Sequence, residues 1–257
     1  MKDGWFEKLA GNIRRNGEWI ERMRQVQEME IFTPMVDILP KGVSGSVRVE
    51  HFEVSEEQSE LLGVVSQLSQ EDRWWEYVPP GRYARLTIGG KLFMTDSLFE
   101  KFSALPFIDN ARGEVLVTGL GLGMVVPPLM AKRDVKRVTI IEKDADVIRL
   151  IEPHVRFGTR LKVVHADAYT WDGGTAKYDT IFHDIWPTVN PANLMLFPRI
   201  EVRYAKWLAP QGWQDCWSKE ICELKARTLL SEVTQSLGGD PMKWPDEVQK
   251  SMRGWAL

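Results

Sequence analysis

The strongest constraint on the fold is a regular alternation of short β-branched runs with helical stretches between residues 111 and 218. Four runs rich in Val, Ile and Thr predict strands: Glu114–Thr118, Arg137–Ile141, Leu161–His165 and Tyr178–His183. Apolar residues at helical spacing predict helices between and after them: Met124–Lys132, Ala145–Val155 and Asn193–Leu208. This order predicts an α/β fold with a doubly wound, Rossmann-like and mostly parallel sheet. A fifth strand is expected at Gly212–Ser218, bounded by a turn at residues 210–212, and a further helix at residues 219–235.

The first 110 residues follow a different pattern, which predicts an N-terminal helix and β-hairpin accessory region beside a main domain of residues 111–257. Apolar residues recur at helical spacing over residues 5–28, and two glycines interrupt them, so two short helices are expected. Val47–Val54 alternates like a strand. A capping-box pattern then predicts a helix over residues 55–68.

Composition excludes several classes of protein. The 257 residues are 44% hydrophobic and 27% charged, which is ordinary globular usage, and the net charge of −3 makes nucleic acid an unexpected partner. Cys216 and Cys222 are the only cysteines, so we expect buried thiols in a reducing compartment. The four histidines lack the spacing of metal ligands, and no metal site is expected. Because no apolar run approaches 18 residues, we expect a cytoplasmic protein with no membrane partner.

A glycine-rich loop follows the first predicted strand of the main domain. Gly119, Gly121 and Gly123 lie within five residues, just before a predicted helix. Glycines let the backbone turn sharply and approach a ligand, and the start of a helix offers free N–H groups. The pattern suits a pyrophosphate or an amino-acid carboxylate, and it also fits a simple tight turn.

Each of the next three predicted strands ends in an acid, at the edge where open α/β sheets bind ligands. Glu142 lies 19 residues beyond Gly123 and is placed to accept hydrogen bonds from ribose hydroxyls. Asp167 suits an adenine amino group, with room for the ring beside Ala168, although it also suits a helix N-cap. Asp184 is expected to point into the crevice near the reacting centre.

These residues resemble the class I S-adenosylmethionine-dependent methyltransferases. The resemblance rests on Val115–Gly123, Glu142 with Asp144, Asp167-Ala168, and Tyr178-Asp179 leading to Asp184. A Gly89-Gly90 turn between Tyr83–Ile88 and Lys91–Met94 predicts a β-hairpin. Its form at Leu86–Asp96, together with Glu142–Ile148, looks most like the spermidine-synthase-like branch. The resemblance implies S-adenosylmethionine as the cofactor, bound by Gly119, Gly121, Gly123, Glu142, Asp167 and Ala168.

The resemblance also implies roles for residues at the end of the fourth strand. Asp184 is the expected catalytic residue, either as a base toward the acceptor or as a partner of the cofactor's ammonium group. Trp186 is expected to form a wall or stacking platform for a small-molecule acceptor. His183 precedes Asp184 by one residue and faces the opposite way in a strand, so we expect it to be structural.

Three departures argue against aminopropyl transfer, the reaction of spermidine synthases. Leu122 stands where those enzymes have an acid, residues 185–189 contain no second acid, and Phe93 stands in place of a glutamine that contacts the donor. Cationic amines need carboxylates to offset their desolvation, so methyl transfer to an unidentified acceptor is preferred. An aminopropyltransferase with an altered acceptor site and a non-catalytic scaffold remain alternatives. Met124 disfavours a nicotinamide dehydrogenase, whose motif has a third glycine there. Related spermidine synthases are dimers or tetramers, which makes a homodimer one expected assembly.

Overall fold

The computed structural model describes residues 31–68 and 77–236. The helices predicted within residues 5–28 lie outside this range. The described chain contains a four-stranded antiparallel sheet and a five-stranded parallel sheet.

The antiparallel sheet has the strand order β1-β2-β3-β4. Its elements are α1 (Met35–Ile38), β1 (Gly42–Ser44), β2 (Val47–Val54), α2 (Glu56–Leu68), β3 (Gly81–Ile88) and β4 (Lys91–Thr95). The predicted hairpin is confirmed: Ile88 pairs with Lys91, and the two glycines between them have φ values of +59° and +78°. Two consecutive positive φ values are what a two-residue hairpin turn requires, and glycine adopts them without strain.

The parallel sheet has the order β7-β6-β5-β8-β9, which confirms the predicted Rossmann-like arrangement. Its strands are β5 (Gly113–Thr118), β6 (Val135–Glu142), β7 (Leu161–His165), β8 (Tyr178–His183) and β9 (Leu208–Cys216). The chain runs outward from β5 to β7, then returns to the other side of β5. A topological switch point therefore lies between β5 and β8 at the carboxyl edge, where such sheets bind ligands.

The sequence predicted the start of the fifth strand four residues too late. β9 begins at Leu208, which pairs with Tyr178, although a turn was expected at residues 210–212. Gln211 has a φ of +63°, and the register shifts between Tyr178 and Thr180. The turn residues thus form an irregularity inside the strand and do not precede it.

The helices of the parallel sheet are α3 (Leu98–Asn110), α4 (Val126–Ala131), α5 (Ala145–Ile151), α6 (Phe197–Tyr204) and α7 (Lys219–Ser236). The stretch predicted as one helix at residues 193–208 is α6 between two short 3₁₀ turns. Pro198 explains the break at its start, because proline has no N–H with which to continue a preceding helical turn. Helix α3 was not predicted.

Apolar clusters cover both faces of the parallel sheet, as a doubly wound fold requires. On one face, Phe107 of α3 stacks on Phe182 of β8 with ring centroids 4.3 Å apart. On the other, Ile200 and Tyr204 of α6 pack in a cluster with Ile181. Tryptophans 171, 207, 213 and 217 belong to these clusters or pack on them. The predicted boundary between the accessory region and the main domain at residue 110 stays a prediction. One apolar cluster includes residues from both sides of this boundary.

Asp96 anchors α1 to the hairpin. Its fully buried carboxylate accepts hydrogen bonds from the backbone N–H groups of Met35 and Ala84, each at 2.7 Å. These two donors come from segments that are far apart in the chain, so one side chain fixes both. Met35 and Leu86 of the same region belong to the cluster that covers the parallel sheet.

We expect Asp96→Asn to lower the free energy of unfolding by about 1–3 kcal/mol, because the amide keeps only one acceptor and leaves a buried N–H unpaired. Urea denaturation at neutral pH measures this difference. Asp37→Asn is the control, since Asp37 is an exposed acid on α1. Equal loss in both variants would contradict the anchoring role of Asp96.

Candidate functional site

A cavity of about 270 Å³ opens at the carboxyl edge of the parallel sheet. Every residue that the sequence predicted for the site lines it except Gly123. The predicted lining residues are Gly119, Gly121, Glu142, Asp167, Ala168, Asp184 and Trp186, and the sequence did not predict Glu100, Met94, Leu196 or Trp217. Gly123 instead packs against α5 and the turn after it, where a Cβ would lie 3.2 Å from Ile151 and 3.0 Å from Val155.

Gly119 places the loop directly against the end of β8. Its φ is +97°, and a Cβ at this position would collide with the carbonyl oxygen of Asp184. The backbone N–H of Asp184 donates to the carbonyl of Thr118 at 2.8 Å, which extends the strand pairing to the cavity. Only glycine fits this conformation and this space, so the loop and Asp184 are held together at the floor of the site.

Glu142 fixes the glycine loop to the segment after β6. Its side chain is buried, one carboxylate oxygen accepts from Leu120 N at 2.9 Å, and the other accepts from Asp144 N at 2.8 Å. Asp144 in turn caps α5 by accepting from the N–H groups of Asp146 and Val147. Each carboxylate oxygen keeps a second lone pair, so Glu142 is also able to accept hydrogen bonds from a ligand's hydroxyl groups.

Asp167 and Ala168 form a turn beside Glu142. Asp167 is exposed, and one of its carboxylate oxygens accepts from Tyr169 N at 2.7 Å, which is the local capping role that the sequence left open. The carbonyl of buried Ala168 accepts from the Tyr204 hydroxyl at 2.8 Å. The turn is therefore fixed from α6, with the small side chain of Ala168 at the cavity wall.

Asp184 and Glu100 bring two carboxylates into this cavity from different elements. Burial, and secondarily the negative charge of Glu142, raises the pKa of Asp184 to about 7. Burial, and secondarily Asp184, raises the pKa of Glu100 well above its usual value. Sequence reasoning missed Glu100, although an acid between Phe99 and Phe102 in an apolar stretch was an available signal.

The remaining walls are largely apolar. Phe93 and Met94 come from β4, and Met94 covers the glycine loop, with its sulfur accepting from Leu122 N at 3.3 Å. Trp186 is buried against Phe197 in an edge-to-face contact with ring centroids 4.6 Å apart. Among the described residues, the Trp186 indole N–H completes no hydrogen bond of good geometry, although the Tyr169 hydroxyl lies near it. The accessory hairpin thus completes a site that the parallel sheet begins.

His183 points away from the cavity, as expected. Its ring nitrogens lie 3.1 Å from the Thr118 hydroxyl and 3.0 Å from the Gln214 amide nitrogen. Burial lowers the pKa of His183 to about 3, so the ring is neutral. The neutral, fully buried imidazole agrees with a structural role.

The part of the chain that the structure describes contains no group of His, Cys, Asp and Glu side chains arranged to hold a metal ion. Within the same residues, no helix is both long enough and apolar enough to cross a membrane.

The comparisons with known proteins centre on the parallel sheet. Residues 111–194, about a third of the chain, match the family model of ribosomal RNA adenine dimethylase. This segment contains the glycine loop, Glu142, Asp167 and Asp184. No curated protein matches the chain. The family match supports the predicted transferase class, a methyltransferase, with S-adenosylmethionine as its cofactor.

Solved structures of methyltransferases show similarity at low identity. The S-adenosylhomocysteine-bound methyltransferase PaMTH1 of Podospora anserina is 19% identical over 63% of this chain and 65% of its own, with a TM-score of 0.38. The CcbJ methyltransferase of Streptomyces caelestis is 17% identical over 43% of this chain and 46% of its own, with a TM-score of 0.34. The matched region spans less than two thirds of either relative.

We expect Glu142→Gln to loosen the glycine loop, because the amide oxygen replaces only one of the two acceptors. The free energy of unfolding should fall by about 1–3 kcal/mol. Amide hydrogen exchange at Leu120 or Asp144 should accelerate, and NMR measures both positions. Glu53→Gln, at an exposed acid of β2, is the control. Unchanged exchange at both amides would show that Glu142 does not fix the loop.

Proposed function

We propose that this chain is a cytoplasmic S-adenosylmethionine-dependent methyltransferase that acts on a small-molecule acceptor. One observation carries the proposal: the glycine loop, Glu142, Asp167 and Asp184 line one cavity at the switch point of a Rossmann-like sheet. Their order along the chain matches the order in which such sites contact an adenosyl ligand. The family match to residues 111–194 supports the same class.

The side chains fit the proposed cofactor. The free lone pairs of Glu142 suit the two ribose hydroxyls, and Asp167 with Ala168 suits the edge and face of adenine. S-adenosylmethionine supplies a methyl group on a positively charged sulfur, which is already activated for attack. The task left to the protein is alignment, which reduces the entropic part of the barrier.

Asp184 suits a cationic ligand. With a pKa near 7, its half-buried carboxylate is about half ionised in neutral solution. A nearby positive charge favours the ionised form, so binding of a sulfonium or ammonium group stabilises the carboxylate and is itself stabilised. We assign Asp184 this electrostatic role, together with hydrogen-bond acceptance from the acceptor.

Phe93, Trp186 and Trp217 favour a small acceptor with an apolar body. The hairpin that precedes the sheet and covers the glycine loop supports a place near the spermidine-synthase-like branch. Leu122 argues against aminopropyl transfer itself, because its side chain is fully buried in an apolar cluster. A non-catalytic scaffold remains the other alternative.

We expect the protein to bind S-adenosylmethionine and S-adenosylhomocysteine in calorimetry. Asp167→Ala should weaken both by about tenfold, because one ligand hydrogen bond is lost. Asp172→Ala is a matched control. The Asp172 carboxylate accepts a hydrogen bond from Gly174 N, just as the Asp167 carboxylate accepts one from Tyr169 N. Asp172 does not line the cavity. Preference for decarboxylated S-adenosylmethionine would favour aminopropyl transfer. Failure to bind any adenosyl ligand would favour the scaffold.

We expect the preference for S-adenosylmethionine over S-adenosylhomocysteine to increase between pH 6 and pH 8. The two ligands differ in the positive charge on sulfur, and Asp184 becomes negatively charged as pH rises through about 7. Calorimetry at several pH values measures the ratio of dissociation constants. Asp184→Asn should make this ratio independent of pH. A wild-type ratio that does not change with pH would contradict the electrostatic role of Asp184.

A further inference from the structure

Glu100 and Asp184 are two carboxyl groups that line the same cavity and interact electrostatically. Within residues 31–68 and 77–236, neither carboxylate has a hydrogen bond or an ion pair. Among the described residues that line the cavity, Lys143 is the only basic one. A carboxylate removed from water is costly unless a cation or several donors pair with it. A cationic ligand supplies the partner that the described chain does not.

The cavity around the pair provides contacts for an organic cation. Phe93, Trp186 and Trp217 line it, and aromatic faces attract ammonium groups as well as apolar ones. Trp186 is 8% exposed, and its indole N–H completes no hydrogen bond of good geometry within the described chain, although the Tyr169 hydroxyl lies near it. A buried donor without a well-formed hydrogen bond is a second sign that a polar group of a ligand belongs in the cavity.

We propose that Glu100 and Asp184 form a binding site for the protonated amine of a compact acceptor with an apolar or aromatic body. This inference rests on the proposed methyltransferase function, in which the amine belongs to the methyl acceptor. Glu100 comes from α3 and Asp184 from the end of β8, so the site joins the helix after the hairpin to the proposed cofactor cavity. One carboxylate pair fits one positive charge and does not require a polyamine.

Glu100 also explains how an amine is accommodated without the acids of the spermidine synthases. Position 122 and residues 185–189 contain no acid, so the sequence alone argues against an amine site. The structure supplies a carboxylate to the same cavity from α3, a different element. Loss of the acids at the expected positions therefore does not remove negative charge from the acceptor side.

Calorimetry with two probes of the same shape tests the inference. Phenethylamine carries a positive charge at pH 7.5, whereas 2-phenylethanol is neutral. Both are titrated into the full chain, with and without saturating S-adenosylhomocysteine. We expect phenethylamine to bind at least about tenfold more tightly than 2-phenylethanol. Equal affinities, or no binding of either probe, would overturn the amine site.

Glu100→Gln keeps the shape of the side chain and removes its charge. In this variant we expect the dissociation constants of phenethylamine and 2-phenylethanol to differ by no more than about twofold. The affinity for S-adenosylhomocysteine should stay unchanged. Asp109→Asn is the matched control, because Asp109 is an exposed acid on the same helix. If Glu100→Gln does not fold, Asp184→Asn tests the preference between the two probes alone, because Asp184 also contributes to the proposed cofactor site. A preference that survives these substitutions would contradict the inference.

The two proposals fail in different ways. Absence of S-adenosylhomocysteine binding to the wild-type chain would overturn the proposed function. The titrations without that ligand still measure whether the carboxylate pair prefers the cationic probe. Binding of S-adenosylhomocysteine without any preference for phenethylamine would overturn the amine site and leave the proposed function standing.

Discussion

The candidate site depends on the double hydrogen bond that the Glu142 carboxylate accepts. It joins Leu120 in the glycine loop to Asp144 at the start of α5, two segments that follow neighbouring strands. It restrains the loop together with two further hydrogen bonds, from Gly119 N to the Ile141 carbonyl at 2.8 Å and from Leu122 N to the Met94 sulfur at 3.3 Å. The order of the loop and the proposed binding of the ribose hydroxyls therefore involve the same side chain.

The parallel sheet was predictable because its signals are local. Strands β5 to β8 are β-branched runs, the connections that lead to β6, β7 and β9 contain helical periodicity, and an acid stands at or just after the end of β6, β7 and β8. The rule that parallel strands share one carboxyl edge then brings Glu142, Asp167 and Asp184 together without any knowledge of packing. The same rule does not decide whether Gly123 reaches the cavity, since that depends on how α5 packs.

What the sequence did not predict depends on contacts between distant segments. Glu100 enters the cavity only because α3 packs on β8 through Phe107 and Phe182, and helix α3 carries no strong periodic pattern. Met94 reaches the glycine loop because the hairpin lies over it. The predicted start of β9 was wrong because the sequence around Gln211 resembles a turn. In the structure the strand continues through an irregularity at this residue.

Glu100 and Asp184 make the free energy of unfolding depend on pH. A carboxyl group with a raised pKa binds its proton more tightly in the folded than in the unfolded chain, so folding is favoured most below its ordinary pKa of about 4. That contribution is lost as pH rises, and for Asp184 the loss is complete above about 7. The cationic ligand proposed for this site would reverse the loss, because it would pair with the charges on these two carboxylates. The groups that make the free protein less stable at neutral pH are thus the groups that give a bound cation its affinity.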